Sequence, residues 1–517
     1  MQAPSRRRFL ADVGKGMLVA SVGATLCQEL GLGTVLADDE KARLNFGSLE
    51  SLATLMQSTP PEKLLPQIVE KLNSETDLKT VVAAAALANA RAFGGNDYIG
   101  FHTFMALGPA YAMAAEMPAD RRALPILKVL YRNSNRIQAY GNAEKDNLHW
   151  VEAGDMPAHP AEALQEATRS GEVDRAEKTF ASIIKHEDAG EAFNHLQMAV
   201  ADEVDVHRVV LCWRSWSTLD LTGQEHAHTL LRQSVRYCVD VDKRTKTSNY
   251  PASPIRTLLP KLLDQYKLVN GSPSNKKADD AWIDRMANLV TDSSREQAAE
   301  AVAAALAEGF TIDDIGEVLT LASNQLVLRD KGRLQQWASE EKPAGSVHGD
   351  SVGVHASDSA NAWRNIAGVS NARNAVASMI VGAFHTAGQL HANVGKEWYP
   401  LPEHLEKITS NDPDALLKGL GGAITEKDQF RATALVTKYG QISQDSRPVF
   451  DLLLKYGCSE DGALHAEKYY RTVSEEFART RAAFRWRQLA ALARVTASEY
   501  GRTAPGYKQA CELLKIG

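Results

Sequence analysis

Two stretches far apart in the chain read almost alike, YIGFHTFMALGPAY at 98–111 and VGAFHTAGQLHANVG at 381–395. Each is an apolar, small-residue run with Phe-His-Thr at its centre. Imidazole is the side chain that exchanges a proton near neutral pH and the commonest nitrogen ligand for metals. His102 and His385 are therefore the first candidates for catalytic duty. Phe101, Phe104, Met105 and Leu107 surround His102, and Gly108-Pro109 follow one turn later, where proline frees a backbone carbonyl and bends a helix. Ile380, Val381 and Phe384 surround His385 in the same way. His391 lies six residues beyond His385, about 240° around a continuous helix, so the two do not face one ion.

A metal site draws imidazoles and carboxylates from several helices, and one helix presents two ligands at spacings of three or four. Glu225 and His228 have the three-residue spacing of di-metal carboxylate bundles, although only one such pair is evident. Glu191 with His195 and Glu203 with His207 have the four-residue spacing. The segment HGDSVGVHASD supplies His348, Asp350, His355 and Asp358 in a Gly/Ser-rich loop, with a helix expected from about SANAWRNI and Ser357 or Asp358 as its N-cap. The expected metal set is His102, His228, Glu225, His348, His355 and His385. The plainer reading of each Glu–His pair is a surface hydrogen bond, and of each apolar-flanked histidine a bonded core residue.

The elements that must position these groups are helices. SLESLATLMQS and EKLLPQIVEKLNS repeat apolar residues at three-to-four spacing, and runs such as VVAAAALANARA use the residue with the best helix propensity. Gly94, Gly141 and Gly171 read as helix stops. One long helix is expected across 190–221, and the longest helical run of the chain across 460–501. Polar, Pro- and Asn-rich sequence marks a loop-rich connection at 246–280, between an N-terminal lobe at 38–245 and a C-terminal lobe at 281–517. The expectation is an all-α fold, two-lobed or an irregular helical-repeat-like array, with no strict repeat period.

The 517 residues, 44% hydrophobic and 24% charged with net charge -6, are ordinary for a globular chain and supply no basic face for nucleic acid. Nucleotide loops, the GxSxG elbow, HExxH and CxxCH are missing from the sequence. Cys212, Cys238, Cys458 and Cys511 form no CxxC pair, and at least two are expected as buried free thiols.

Residues 1–37 are a separate object. Ser5-Arg6-Arg7-Arg8-Phe9-Leu10 precedes a weak apolar run, MLVASVGATL, and Val35 and Ala37 suit leader cleavage before Asp38. This order resembles the twin-arginine export signal of bacteria. The resemblance covers only the leader. It implies the twin-arginine export machinery as a partner and a periplasmic or secreted destination for a chain that crosses the membrane folded, a route often taken by proteins carrying metal or redox cofactors. The run is too short and too rich in glycine and alanine to anchor, and no integral membrane segment is expected in the mature chain.

The functional expectation is an exported helical enzyme with a buried His-based site. It would act on a small-molecule substrate as a metal- or haem-dependent oxidoreductase, the transition metal being Fe, Cu or Zn. Alternatives are a metal-dependent hydrolase with Asp350 or Glu225 as base, and a helical-repeat scaffold without catalysis. Convergence of the histidines separates the enzyme from the scaffold.

Overall fold

A computed structural model describes residues 43–74, 76–141, 144–269 and 275–516. The leader at 1–37 lies outside the described residues. Among the described residues no strand or sheet forms, and isolated backbone bridges such as Asp330 with Val394 join loops. The fold is all-α. Asn45–Gly517 forms one compact unit. No described helix is long and apolar enough to cross a membrane.

Two helices are buried on all sides and organise the rest. The first, Leu78–Phe93, is the alanine run. Asp77 caps it by accepting from the Thr80 N–H at 2.7 Å, and Gly94 ends it in the left-handed conformation at φ 55°. Small side chains let Glu50–Ser58, Tyr98–Glu116, Leu124–Tyr140 and Ala227–Thr247 pack around it. The second, Ile312–Leu328, packs against Asp280–Asp292, Val352–Val369, Ala372–Ala387 and Arg485–Glu499.

Four helices, two of them already named, close a ring between these centres. Tyr98–Glu116 packs on Val206–Ser217, Val206–Ser217 on Val352–Val369, Val352–Val369 on His465–Arg479, and His465–Arg479 back on Tyr98–Glu116. The segment at 246–280 contains the helix Ile255–Gln265, which packs on Ala372–Ala387.

Three boundary expectations are corrected. The run across 190–221 falls in three helices, Ala189–Val200, Val206–Ser217 and Leu219–Thr222. Asp205 stops continuation by capping the second, accepting from the Arg208 N–H at 2.9 Å, while Asp202 turns aside to Arg169 and Gln165. Glu203 therefore lies in a turn and not on the His207 helix. The run across 460–501 splits into His465–Arg479 and Arg485–Glu499. Arg481 breaks it, because its backbone N–H bonds Glu317 at 2.9 Å and its guanidinium reaches Asp280, Asp314 and Glu317. The longest described helix is instead Ala227–Thr247. The helix expected from about residue 359 starts at Val352, with Ser351 as N-cap. His355, Ser357 and Asp358 are thus helical, and neither Ser357 nor Asp358 is a cap.

Candidate histidine centre

The ring of four helices carries a ring of four imidazoles. Centroids of His102 and His207 are 4.8 Å apart, His207 and His355 5.8 Å, His355 and His465 5.0 Å, and His465 and His102 5.4 Å. Each histidine comes from a different helix and lies in the first two turns of it. Four helix N-termini therefore meet at one level.

Hydrogen bonds to backbone carbonyls hold two of the four rings. Asp97 caps the His102 helix through the Gly100 N–H, and its carboxylate is held by Arg136. The His102 Nδ1–H donates to the Tyr98 carbonyl at 2.7 Å, and the His355 Nδ1–H donates to the Ser351 carbonyl at 3.0 Å. A carbonyl only accepts, so Nδ1 carries the proton in both neutral rings and Nε2 keeps its lone pair. Asp205, whose Oδ1 is 3.9 Å from His207 Nδ1, is itself held by the Tyr237 hydroxyl at 3.0 Å. His465 opens its helix after two non-glycine residues in the left-handed region, Ala463 at φ 49° and Leu464 at φ 70°. Such backbone is costly and persists only where the surroundings impose it. Gly349 lies directly behind His465: a Cβ there would stand 2.5 Å from the His465 Cβ and 2.8 Å from the Glu499 carboxylate.

The inward nitrogens are unsatisfied. His102 Nε2, His207 Nε2 and both nitrogens of His465 are buried without a hydrogen-bond partner. Lys468 follows His465 by three residues on the same face and is 2% exposed. Burial, then the charge of Lys468, pushes the imidazoles of His102, His355 and His465 below their ordinary value. Burial lowers His207 to about 4 against the opposing pull of Asp205. The four rings are neutral at pH 7.

His102 and His465 form the floor, and His207 and His355 are partly open to solvent. At the mouth stands Tyr98, 60% exposed, its ring 4.4 Å from His102 and 5.5 Å from His207. Phe101 stacks on His102 at 4.9 Å and meets Tyr237 edge-on.

Of the residues expected from sequence, the structure brings His102 and His355 together. His385 makes no ring contact with them. It packs on the second buried helix's side of the molecule, where the Trp363 indole N–H donates to its Nδ1 at 3.3 Å. His228 stacks on Phe180 with centroids 6.1 Å apart, and Glu225 is exposed in the short turn before it. His348 is buried, lowered to about 4 by burial, and separated from the ring by Gly349. Asp350 is held by Arg333 and Lys342, and Asp358 accepts from Thr472 at 2.8 Å. The expected free thiols are seen: Cys212, Cys238 and Cys458 are buried and unpaired.

Sequence reasoning missed His207 and His465 as members of the site. His207 was matched to Glu203 through a helix that does not continue, and His465 sat unremarked in GALHAEKYY. The available signal was position: both stand at a helix start, as His102 and His355 do.

Two imidazoles on one tetrahedral ion, with metal–nitrogen bonds of about 2.0–2.1 Å, have ring centres roughly 5 Å apart. The observed spacings match that figure. Among the described residues, however, no set of three or more His, Cys, Asp or Glu side chains already closes on a single point as a metal cage does. Closing this one requires rotation about the soft outer torsions of the rings. Comparisons of the chain with protein-family models, with curated proteins and with solved structures return no match.

Proposed function

We propose that this chain is an exported helical enzyme whose catalytic centre is the ring of His102, His207, His355 and His465, and that it is a transition-metal-dependent oxidoreductase acting on a small molecule in the periplasm or outside the cell. The observation that carries the reading is the convergence of four imidazoles from four separate helices, three of them (His102, His207 and His465) with buried nitrogens that have no hydrogen-bond partner. Buried polar atoms without partners are costly, and a set of them facing one point suits a ligand that satisfies them together. Neutral imidazole is the form that binds a metal.

A bound transition ion would supply one-electron chemistry. The protein's own part is positional. The Tyr98 and Ser351 carbonyls fix the tautomers of His102 and His355, leaving Nε2 of each as the donor atom. Asp205 steers His207. Phe101 and Tyr98 pack their rings against His102, Phe101 buried and Tyr98 exposed to solvent. The spacing supports a bare ion rather than haem, because a macrocycle needs open space between its axial histidines. Export rests on the Arg6-Arg7-Arg8 leader, and a metal loaded before translocation accords with that route.

The test is elemental analysis and the optical spectrum of the purified mature chain, alongside His102→Ala and His465→Ala. The expected result is about one transition ion per chain, lost in both variants. A wild-type chain that takes up no iron, copper, cobalt or zinc on reconstitution would refute the reading.

A further inference from the structure

A cavity of about 260 Å³ lies among the helices Pro160–Ser170, Ala189–Val200, Ile255–Gln265 and Ala372–Ala387. None of the four ring histidines is among its described lining residues. Trp363, on its wall, belongs to the His355 helix but follows His355 by eight residues, about 12 Å along the axis. We propose that this cavity binds a small carboxylate that carries a hydroxyl on an apolar body, the carboxylate meeting Arg373 and the hydroxyl meeting Gln197. The proposal does not depend on the metal reading above.

The charge of the ligand follows from what the wall leaves unpaired. Three guanidinium groups and one carboxylate stand on the described wall. The carboxylate, Asp202, is taken: Arg169 holds it at 2.5 Å, and the Gln165 amide donates to it at 3.0 Å. Arg256 pairs with Asp242, which is not part of the wall. Arg373 is left over. Among the described residues it forms no ion pair, and its guanidinium donates only to the neutral Asn374 Oδ1, at 3.3 Å. It stands in the first turn of Ala372–Ala387, capped by Asn371, where the positive end of the helix dipole adds to its charge. A carboxylate matches the fork of a guanidinium with two parallel hydrogen bonds.

Gln197 specifies the second group. It is 4% exposed, and its Nε2 donates to the Phe193 carbonyl at 3.1 Å, which fixes the orientation of the amide. Its Oε1 is then a buried acceptor with no donor. Such an atom is costly until a donor reaches it. A carboxylate only accepts, so the donor is a separate group on the ligand. An ammonium would bring a fourth cation beside three guanidinium groups, whereas a hydroxyl donates without charge. The remaining wall is apolar. Ile255 and Leu259 line it, and the Trp363 indole N–H is spent on His385 at 3.3 Å. A cavity of ~150 Å³ holds benzene, so this one admits a body of roughly ten non-hydrogen atoms. Hydroxy acids with a branched or aromatic side chain combine these features.

Isothermal titration calorimetry of the purified chain tests this with mandelate, phenylacetate and mandelamide. Mandelate has the charge and the hydroxyl, phenylacetate lacks the hydroxyl, and mandelamide lacks the charge. Wild type is expected to bind mandelate about tenfold more tightly than either. Arg373→Met is expected to weaken mandelate and phenylacetate tenfold or more and to leave mandelamide unchanged. Gln197→Met is expected to erase the advantage of mandelate over phenylacetate. Circular dichroism checks folding, and Arg373→Gln takes the place of Arg373→Met if that variant does not fold. His102→Ala is expected to bind mandelate as wild type does, and loss of binding there would overturn the assignment by moving the ligand to the imidazole ring. A wild type that binds no mandelate, or an Arg373→Met chain that binds it as tightly as wild type, also overturns the proposal, and neither result touches the metal centre.

Discussion

Two lysines are equally buried in this protein and have opposite surroundings. Lys128 is 1% exposed and Lys468 is 2% exposed. The Lys128 ammonium donates to the Gly457 and Glu460 carbonyls at 2.8 Å each and forms an ion pair with the Glu467 carboxylate at 2.8 Å. It clamps the end of the helix Arg447–Ser459 to the start of His465–Arg479, where a cation also suits the first helix's carbonyl end. Lys468 is the very next residue after Glu467, on another face of the same helix, and has no such partners. Burial pulls it down to about 8, with Asp358 only partly opposing. The difference separates a buried charge that ties the scaffold together from one that does not. A buried charge held by several partners ties elements together, and one without them is a cost that the fold carries.

The comparison breaks most visibly at Lys128. Lys128→Met leaves Glu467 charged, fully buried and alone, together with two carbonyls lacking a donor. The expected loss is about 3–5 kcal/mol of unfolding free energy, measured by denaturant titration. Lys468→Met is expected to go the other way. In the metal-free protein it removes an unpartnered charge, for a gain on the order of 1–3 kcal/mol at pH 7. The sign follows from the depressed amine. Between about pH 8 and its unfolded value near 10.5 the unfolded chain binds more protons, so wild-type stability rises with pH there. The gain of Lys468→Met over wild type should therefore be full below pH 8 and shrink above it. A loss comparable to that of Lys128→Met would make both lysines structural.

The all-α fold was legible because helical periodicity, alanine runs and glycine stops act locally. Gly94 and Gly171 end helices in the left-handed conformation, as their sequence context implies. What was not legible came from long-range bonding. Arg481 ends a helix through carboxylates more than 160 residues away in sequence, at Glu317 and Asp314. Half of the candidate centre was readable for the same reason. His102 and His355 stand in distinctive local settings, whereas His207 and His465 acquire meaning only when four helices close. The repeated Phe-His-Thr motif misled, since a buried indole serves His385 as well as an open site serves His102.

Glu499 sharpens the contrast from the acid side. It stands behind His465 and accepts from the Gly349 N–H at 2.7 Å. Burial pushes its carboxyl up to about 7, against that hydrogen bond and the charge of Lys128. A raised acid destabilises the fold as it ionises. The cost is absent below about pH 4.5, grows through 7 and is complete above it. Glu499→Gln keeps an acceptor for Gly349 and removes the charge. Its melting temperature should match wild type near pH 4.5 and exceed it at pH 8. An equal offset at both values would show that packing, not ionisation, governs the position.

The smallest effect is expected at Ala463, where the comparison turns on backbone rather than charge. Ala463 is exposed and held at φ 49°, just before Leu464 at φ 70° and His465. The left-handed region costs an L-residue roughly 1–2 kcal/mol, and glycine nothing comparable, although glycine adds entropy to the unfolded chain. Ala463→Gly is therefore expected to stabilise by about 0.5–1 kcal/mol, seen as a small rise in melting temperature. Its side chain is exposed, so packing offsets little of the gain. The same substitution loosens the turn that sets His465, whose two ring nitrogens are buried without a hydrogen-bond partner. Metal affinity should then fall while stability rises. If both rise together, the left-handed pair is incidental to the centre, and the ring of imidazoles is positioned by helix packing alone.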